Sequence, residues 1–146
     1  MKKMNKKGFT LIELLAIIVI LAIIAVITVP IILNVIDNAK KGAAKNSVAG
    51  YAKAIELAHT EWMYDKNLNG ATTPNLTGAK ATASVNVKVG TATAEAITYG
   101  VNYDGDSVTG CTINITDGKV SMTGCKVTSY SESATFKYEG GKVTQE

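Results

Sequence analysis

Residues 9–33 read FTLIELLAIIVILAIIAVITVPIIL, and this stretch decides the architecture. Of its 25 residues, 21 are apolar; the exceptions are Thr10, Glu13, Thr28 and Pro30. As a helix it extends about 37 Å at ~1.5 Å per residue, more than the ~30 Å of a bilayer's hydrocarbon core. Fifteen of the residues from Leu14 to Leu33 are Leu, Ile or Val. At about −0.3 to −0.6 kcal/mol each, they favour insertion by roughly 5–9 kcal/mol. Glu13 opposes this by no more than about 3 kcal/mol, and less near the end of a span, where it lies. Insertion wins. The run is too long for the apolar core of a cleaved secretory signal, and its small pair, Ala22 and Ala25, falls inside it. The rest of the chain is too short to cover such a helix on every side as a soluble core. An ordinary signal anchor accounts for everything except Glu13 and the residues just before Phe9.

Outward from this run, charge sets direction. The chain has 146 residues, enough for one modest domain plus an anchor. All 15 cations are Lys, against 12 acidic residues. Lys2, Lys3, Lys6 and Lys7 precede the apolar run, so the remainder carries 11 against 12, or −1. By the positive-inside rule the N-terminus stays cytoplasmic and the chain beyond about Asp37 lies outside. Without Arg or a basic stripe, no specific nucleic-acid partner is expected. One His and two Cys are too few for a Cys/His zinc site, and no cofactor is expected.

Lys6-Lys7-Gly8-Phe9-Thr10-Leu11-Ile12-Glu13, followed by the aliphatic run and Pro30, resembles the processing signal of type IV pilins and of the pseudopilins of type II secretion and competence systems. The resemblance covers about the first thirty-five residues. It implies that a membrane-embedded prepilin peptidase cuts after Gly8 on the cytoplasmic side and methylates the new amino terminus at Phe9, with the apolar segment kept on the product. It also implies partners: other copies of the chain, an assembly platform protein and an ATPase, since the chain has no phosphate-binding loop of its own.

The residues have physical readings beside the resemblance. Gly8 lets an extended backbone enter a narrow protease site without a Cβ clash; a linker glycine is the alternative. A lone carboxylate in lipid is costly, so Glu13 should find a cationic or hydrogen-bonding partner. Phe9 and Glu13 are four apart and share a helix face, so the amine freed by cleavage is within reach inside one subunit. The family implies instead that the carboxylate neutralises the amine of a neighbouring subunit, which would give assembly a register, because a shifted subunit leaves two charges buried and unpaired. An acid snorkelling at the membrane edge is the alternative. Pro30 deprives the Val26 carbonyl of its helical partner, so the helix should kink or loosen there, with Thr28 partly satisfying the freed groups. Loss of helical order inside a filament and a plain membrane-helix kink fit Pro30 equally.

Beyond the membrane, Asn34 to about Tyr64 stays helix-friendly. Ala44, Val48, Tyr51, Ile55, Ala58 and Trp62 recur at steps of three or four as an apolar stripe, while Lys45, Lys53, Glu56 and His59 mostly face elsewhere. Gly42 and Gly50 are soft points, and His59 is an exposed or half-packed residue without a catalytic role. Asp65, Asn67 and Asn69, with Gly70, match the first half of a calcium loop, but Leu76 stands where the bidentate Glu belongs. Asn69-Gly70 reads as a helix cap and turn.

From Asn67 onward there are 14 Thr and 10 Gly in 80 residues, with short strands expected over 84–89, 96–103, 111–116, 119–123 and 134–138 and a loop over 72–83. Asp117-Gly118 is the strongest hairpin signal. A two-residue turn pairs Ile115 with Val120 and Ile113 with Met122, giving four apolar side chains on one face to cover the Tyr51/Ile55/Trp62 stripe. In that register Cys111 falls opposite Gly124, and a bulge at Gly124 would bring Cys111 and Cys125 together. The pair reads as a disulfide in an oxidising compartment, with two free thiols as the alternative. Asp104-Gly105-Asp106 reads as a β-turn rather than a metal site.

The expected chain is therefore α+β and pilin-like: a long N-terminal helix, half transmembrane and half amphipathic, packed on a small antiparallel sheet. It divides into a leader (1–8), a transmembrane and filament-core helix (9–33), an amphipathic helix (34–66) and a β domain (67–146). The expected function is a non-enzymatic structural subunit of a type IV pilus-like filament, resident in the cytoplasmic membrane before assembly and on the cell surface after it. The alternatives are a pseudopilin of a secretion or competence system, and a monomeric membrane-anchored extracellular binding domain.

Overall fold

The computed structural model describes residues 8–146 apart from 71, 75, 77, 80, 89–93 and 132. The leader lysines and Val89, the end of the first expected strand, lie outside the described residues. Helix α1 covers Leu11–Asn69, followed by β1 (Ala81–Lys88), β2 (Glu95–Val101), β3 (Val108–Thr109), β4 (Thr112–Thr116), β5 (Lys119–Val127), β6 (Phe136–Glu139) and β7 (Lys142–Gln145). Compact units divide after Ala39, and α1 contributes to both.

In the first unit α1 is apolar all round, and it continues through Pro30 as helix. The Thr28 hydroxyl donates to the Ile24 carbonyl at 3.0 Å, not to the Val26 carbonyl, to which Pro30 has no N–H to offer. Gly42 and Gly50 likewise interrupt nothing, since both sit within the helix. The helix stops at Asn69, where Gly70 takes φ +68°, the left-handed conformation that ends helices at little cost for a residue without Cβ.

In the second unit one face of α1 packs on a seven-stranded sheet of order β2-β1-β4-β5-β6-β7, with β3 pairing β5. The Asp117-Gly118 turn has both residues at positive φ, as a tight two-residue hairpin requires, and Ile115↔Val120 and Ile113↔Met122 are paired as the sequence predicts. All four side chains are buried with Tyr51, Ile55 and Trp62 in one core. The buried face of α1 is broader than the expected stripe. It includes Ser47, Ala52 and His59, while Ala58 is only half-buried.

The sheet is mixed rather than antiparallel. β1 lies parallel to β4, with Asn86↔Asn114 and Val87↔Ile115 as partners. The chain turns back from β1 through β2, so β1 keeps a free edge for β4, which arrives after a connection long enough for parallel pairing. Two short strands, β3 and β7, escape the sequence reading, and β5 runs on to Val127.

β3 and β4 pair with β5 in one continuous register, Val108↔Val127 and Thr109↔Lys126 leading to Thr112↔Thr123. No extra residue is inserted between these strands at Gly124. Instead Gly110 and Gly124 both take positive φ, +73° and +69°, and the slip appears on the other side, between β5 and β6. Burial along β5 changes phase there, from Val120 and Met122 to Cys125 and Val127. Cys125 thereby turns inward and is disulfide-bonded to Cys111, with Cα atoms 4.3 Å apart.

The turn at Asp104-Gly105-Asp106 is fastened to the helix. Ser47 Oγ donates to the Ala43 carbonyl at 3.1 Å and accepts the Asp106 N–H at 3.1 Å. Gly105 sits at φ +123°, and a Cβ there would lie 2.6 Å from Ser47 Oγ. Gly105→Ala therefore combines a backbone conformation that side chains avoid with a contact on a buried helix residue. It should cost about 1–3 kcal/mol, read as a lower denaturation midpoint of the full chain in detergent with the slope on denaturant unchanged.

Candidate functional site

Gly8, Phe9 and Thr10 precede the helix and are exposed, Phe9 to 80%. The helix begins at Leu11 because Thr10 and Glu13 cap it reciprocally. Thr10 N–H and Oγ1 donate to Glu13 Oε2 at 2.8 and 2.6 Å, and Glu13 N–H is 3.4 Å from Thr10 Oγ1. Leu14 N–H bonds the Thr10 carbonyl at 3.2 Å, closing the first turn. This is a capping box, T-x-x-E ahead of an apolar run. The signal stands in the sequence at Thr10-Leu11-Ile12-Glu13, and it gives the acid a hydrogen-bonding partner without any cation. Within one chain, Glu13 already satisfies donors at the helix start.

From Leu11 to Ile36 every Leu, Ile and Val side chain is 44–85% exposed. A typical soluble monomer's largest apolar patch is a few hundred Å², so a helix bare on all sides must be covered by lipid or by other chains. It is long and apolar enough to cross a membrane, with a mean hydropathy of 3.3 in its most apolar window.

The other candidates serve structure. Asp65, Asn67 and Asn69 lie on the last turns of α1, where successive alternate residues point about 200° apart and cannot converge on one ion. Asn69 Nδ2 instead donates to Asp65 Oδ1 at 3.4 Å. In the Asp104-Gly105-Asp106 turn, the Asp106 carboxylate accepts a short hydrogen bond from Ser129 Oγ, and the Asp106 carbonyl accepts from the Tyr103 hydroxyl at 3.4 Å. Among the described residues no three His, Cys, Asp or Glu side chains gather as metal ligands. A surface groove of about 420 Å³ lies between the end of α1 and β2, flanked by Glu61, Trp62, Asp65, Pro74 and Tyr99.

His59 departs from its expected exposure. It is 8% exposed, and its Nδ1 lies 2.8 Å from the hydroxyl of Tyr99, a fully buried residue of β2. Its position falls beside Ile55 and Trp62 on the wheel, and β2 is close enough there to cover it. The sequence carried no signal that Tyr99 would be the partner, forty residues away.

A family model described as the prokaryotic N-terminal methylation motif matches residues 3–29. This is the prepilin signal of type IV pilins and pseudopilins, and the chain carries it. The motif supports a protein of the pilin or pseudopilin class, whose members in general are structural subunits that self-assemble after processing by prepilin peptidase. The apolar helix fits membrane anchoring followed by a place in a surface filament. The match ends at residue 29, ahead of the whole second unit. No curated protein and no solved structure matches the chain.

Proposed function

We propose that this chain is the structural subunit of a type IV pilus-like filament, cleaved after Gly8, methylated on the amine of Phe9, and assembled through residues 9–33. The observation that carries the reading is the methylation motif running directly into a helix whose aliphatic side chains are exposed on every side. Removal of residues 1–8 takes away the four lysines that hold the N-terminus cytoplasmic, and leaves one amine near one acid at the head of an apolar rod. In lipid the rod is covered by acyl chains; in a filament it is covered by its copies. Glu13 of one subunit then neutralises Phe9 of the next and fixes their register, since any other stagger leaves both charges in an apolar core. Pro30 loosens the rod where packing demands it. A platform protein and an ATPase supply the work of extraction from the membrane, and residues 40–146 form the outward surface.

Mass spectrometry of the intact protein from its host tests this. The expected mature N-terminus is Phe9 carrying one methyl group, in the membrane and in any sheared fibre fraction. Retention of residues 1–8 would remove the proposal and favour a monomeric anchored domain. A pseudopilin of a secretion or competence system shares the same motif, so fibre length separates it. Electron microscopy with an antibody to the β domain should label extended fibres if the subunit builds a pilus, and only cell-envelope material if it is a pseudopilin.

A further inference from the structure

The last turns of α1 are held to the sheet by one small cluster. From Thr60 to Asn69 only Trp62 is buried and Met63 half-buried; the other side chains are exposed. His59 and Trp62 both meet Tyr99 of β2, with ring centroids 5.8 and 6.0 Å away in edge-on contacts, and lie 6.0 Å from each other. Tyr99 has no exposed surface, and His59 and Trp62 retain 8% and 6%. His59 Nδ1 and the Tyr99 hydroxyl share one hydrogen bond over 2.8 Å, the imidazole accepting at Nδ1 when its proton is on Nε2 and donating there in the other tautomer.

A second proton on the ring leaves Nδ1 able only to donate, so the Tyr99 hydroxyl can no longer donate to it and has to turn its own hydrogen elsewhere. A buried phenol then has to find another acceptor, in a cluster where Trp62 Nε1 has none among the described residues. The charge itself is left with almost no water, which is costly without a partner. Among the described residues no carboxylate is set to compensate. Glu56, one turn earlier on α1, has Oε1 3.5 Å from the Tyr138 hydroxyl of β6. Glu61 and Asp65 are exposed on α1, and Glu95 is exposed at the start of β2, where its charge bears on Tyr99. Lys66 places Nζ 4.7 Å from the Trp62 ring centroid, and its charge further disfavours a second positive one in this cluster.

We propose that His59 is the proton-sensitive element of a latch: its protonation releases residues 59–69 of α1 from β2, so that acid opens this end of the second unit while the sheet stays folded. The proposal does not depend on the filament reading. Burial keeps the imidazole below its ordinary 6.5 and pushes the Tyr99 phenol up to about 12. The released form binds the proton more readily than the latched one. The latch is therefore at full strength above 6.5 and weakens as pH falls below it, by up to about tenfold in the closed-to-open ratio per pH unit for one proton.

His59 and Trp62 are the only His and the only Trp, so the reporter is built in. The full chain in detergent micelles is taken from about pH 8 to about pH 5, following Trp emission and amide hydrogen exchange. The expected result is a red-shifted emission with its midpoint below 6.5, a fall in amide protection over 59–69 relative to the intrinsic exchange rate at each pH, and β4 and β5 still protected. His59→Gln, which does not titrate, and His59→Phe, which keeps the packing, should both give flat profiles. A flat wild-type profile overturns the proposal. So does a transition that persists in both variants, which would assign it to carboxylates, or loss of protection in β4 and β5 at the same midpoint, which would be global unfolding.

Discussion

Replacing Glu13 by Ala should leave cleavage after Gly8 largely intact and reduce co-assembly with wild-type subunits by about two to four orders of magnitude. The figure follows from the proposed charge pairing. Removing one partner of a buried ion pair costs about 3–5 kcal/mol, because the other charge stays behind in an apolar environment, and each ~1.4 kcal/mol is tenfold. The capping box adds a second role that must be separated from the first. Glu13 Oε2 accepts from both the N–H and the hydroxyl of Thr10, and losing such a cap costs only about 1 kcal/mol. Glu13→Gln divides the two, since Gln serves a capping box as well as Glu does but carries no charge. The expected order of assembly is wild type well above Glu13→Gln, with Glu13→Gln close to Glu13→Ala. Assembly of Glu13→Gln at the wild-type level, scored by the sheared fibre fraction, would show that the acid acts through its own helix start and that the register argument is wrong.

The second large effect is on the stability of residues 40–146. The disulfide joins Cys111 to Cys125 across a sequence separation of 14, and closing a loop of that size is worth about 3 kcal/mol in the chain-entropy model. Domains of this size have roughly 5–15 kcal/mol in total, so the bond is a large share. Cys125 is fully buried, and Ser there would add an unpartnered hydroxyl. The informative variant is therefore Cys111→Ala with Cys125→Ala. It should lower the chemical-denaturation midpoint of the full chain in detergent, and wild type in excess reductant should fall to nearly the same value. A double variant within about 1 kcal/mol of oxidised wild type would mean that the β3–β4–β5 register, with Gly110 and Gly124 at positive φ, already holds this region without the bond. Glu146 Oε2 accepts the Gly124 N–H at 3.0 Å and is one such support.

What could be read from the chain before any coordinates is local. The apolar run from Phe9, the lysines ahead of it, the Asp117-Gly118 hairpin with its two apolar pairs, and the helix stop at Asn69-Gly70 each express a preference of a few neighbouring residues. Hydrophobic periodicity, charge and turn conformation act over such distances. The Thr10/Glu13 cap is equally local, a T-x-x-E pattern directly ahead of an apolar run.

Tertiary structure decided what depends on residues far apart in the chain. No pattern within β1 or β4 specifies that they lie parallel; that follows from which sheet edge is left open once β1 and β2 have paired. Ser47 looks like any polar helix residue until the Asp106 N–H, 59 positions later, reaches its hydroxyl. His59 is polar by composition and buried by circumstance, because Tyr99 offers a hydroxyl at the one place where the imidazole can be desolvated at tolerable cost. Burial and pairing are properties of surfaces brought together. A single stretch of sequence carries only its own half of each.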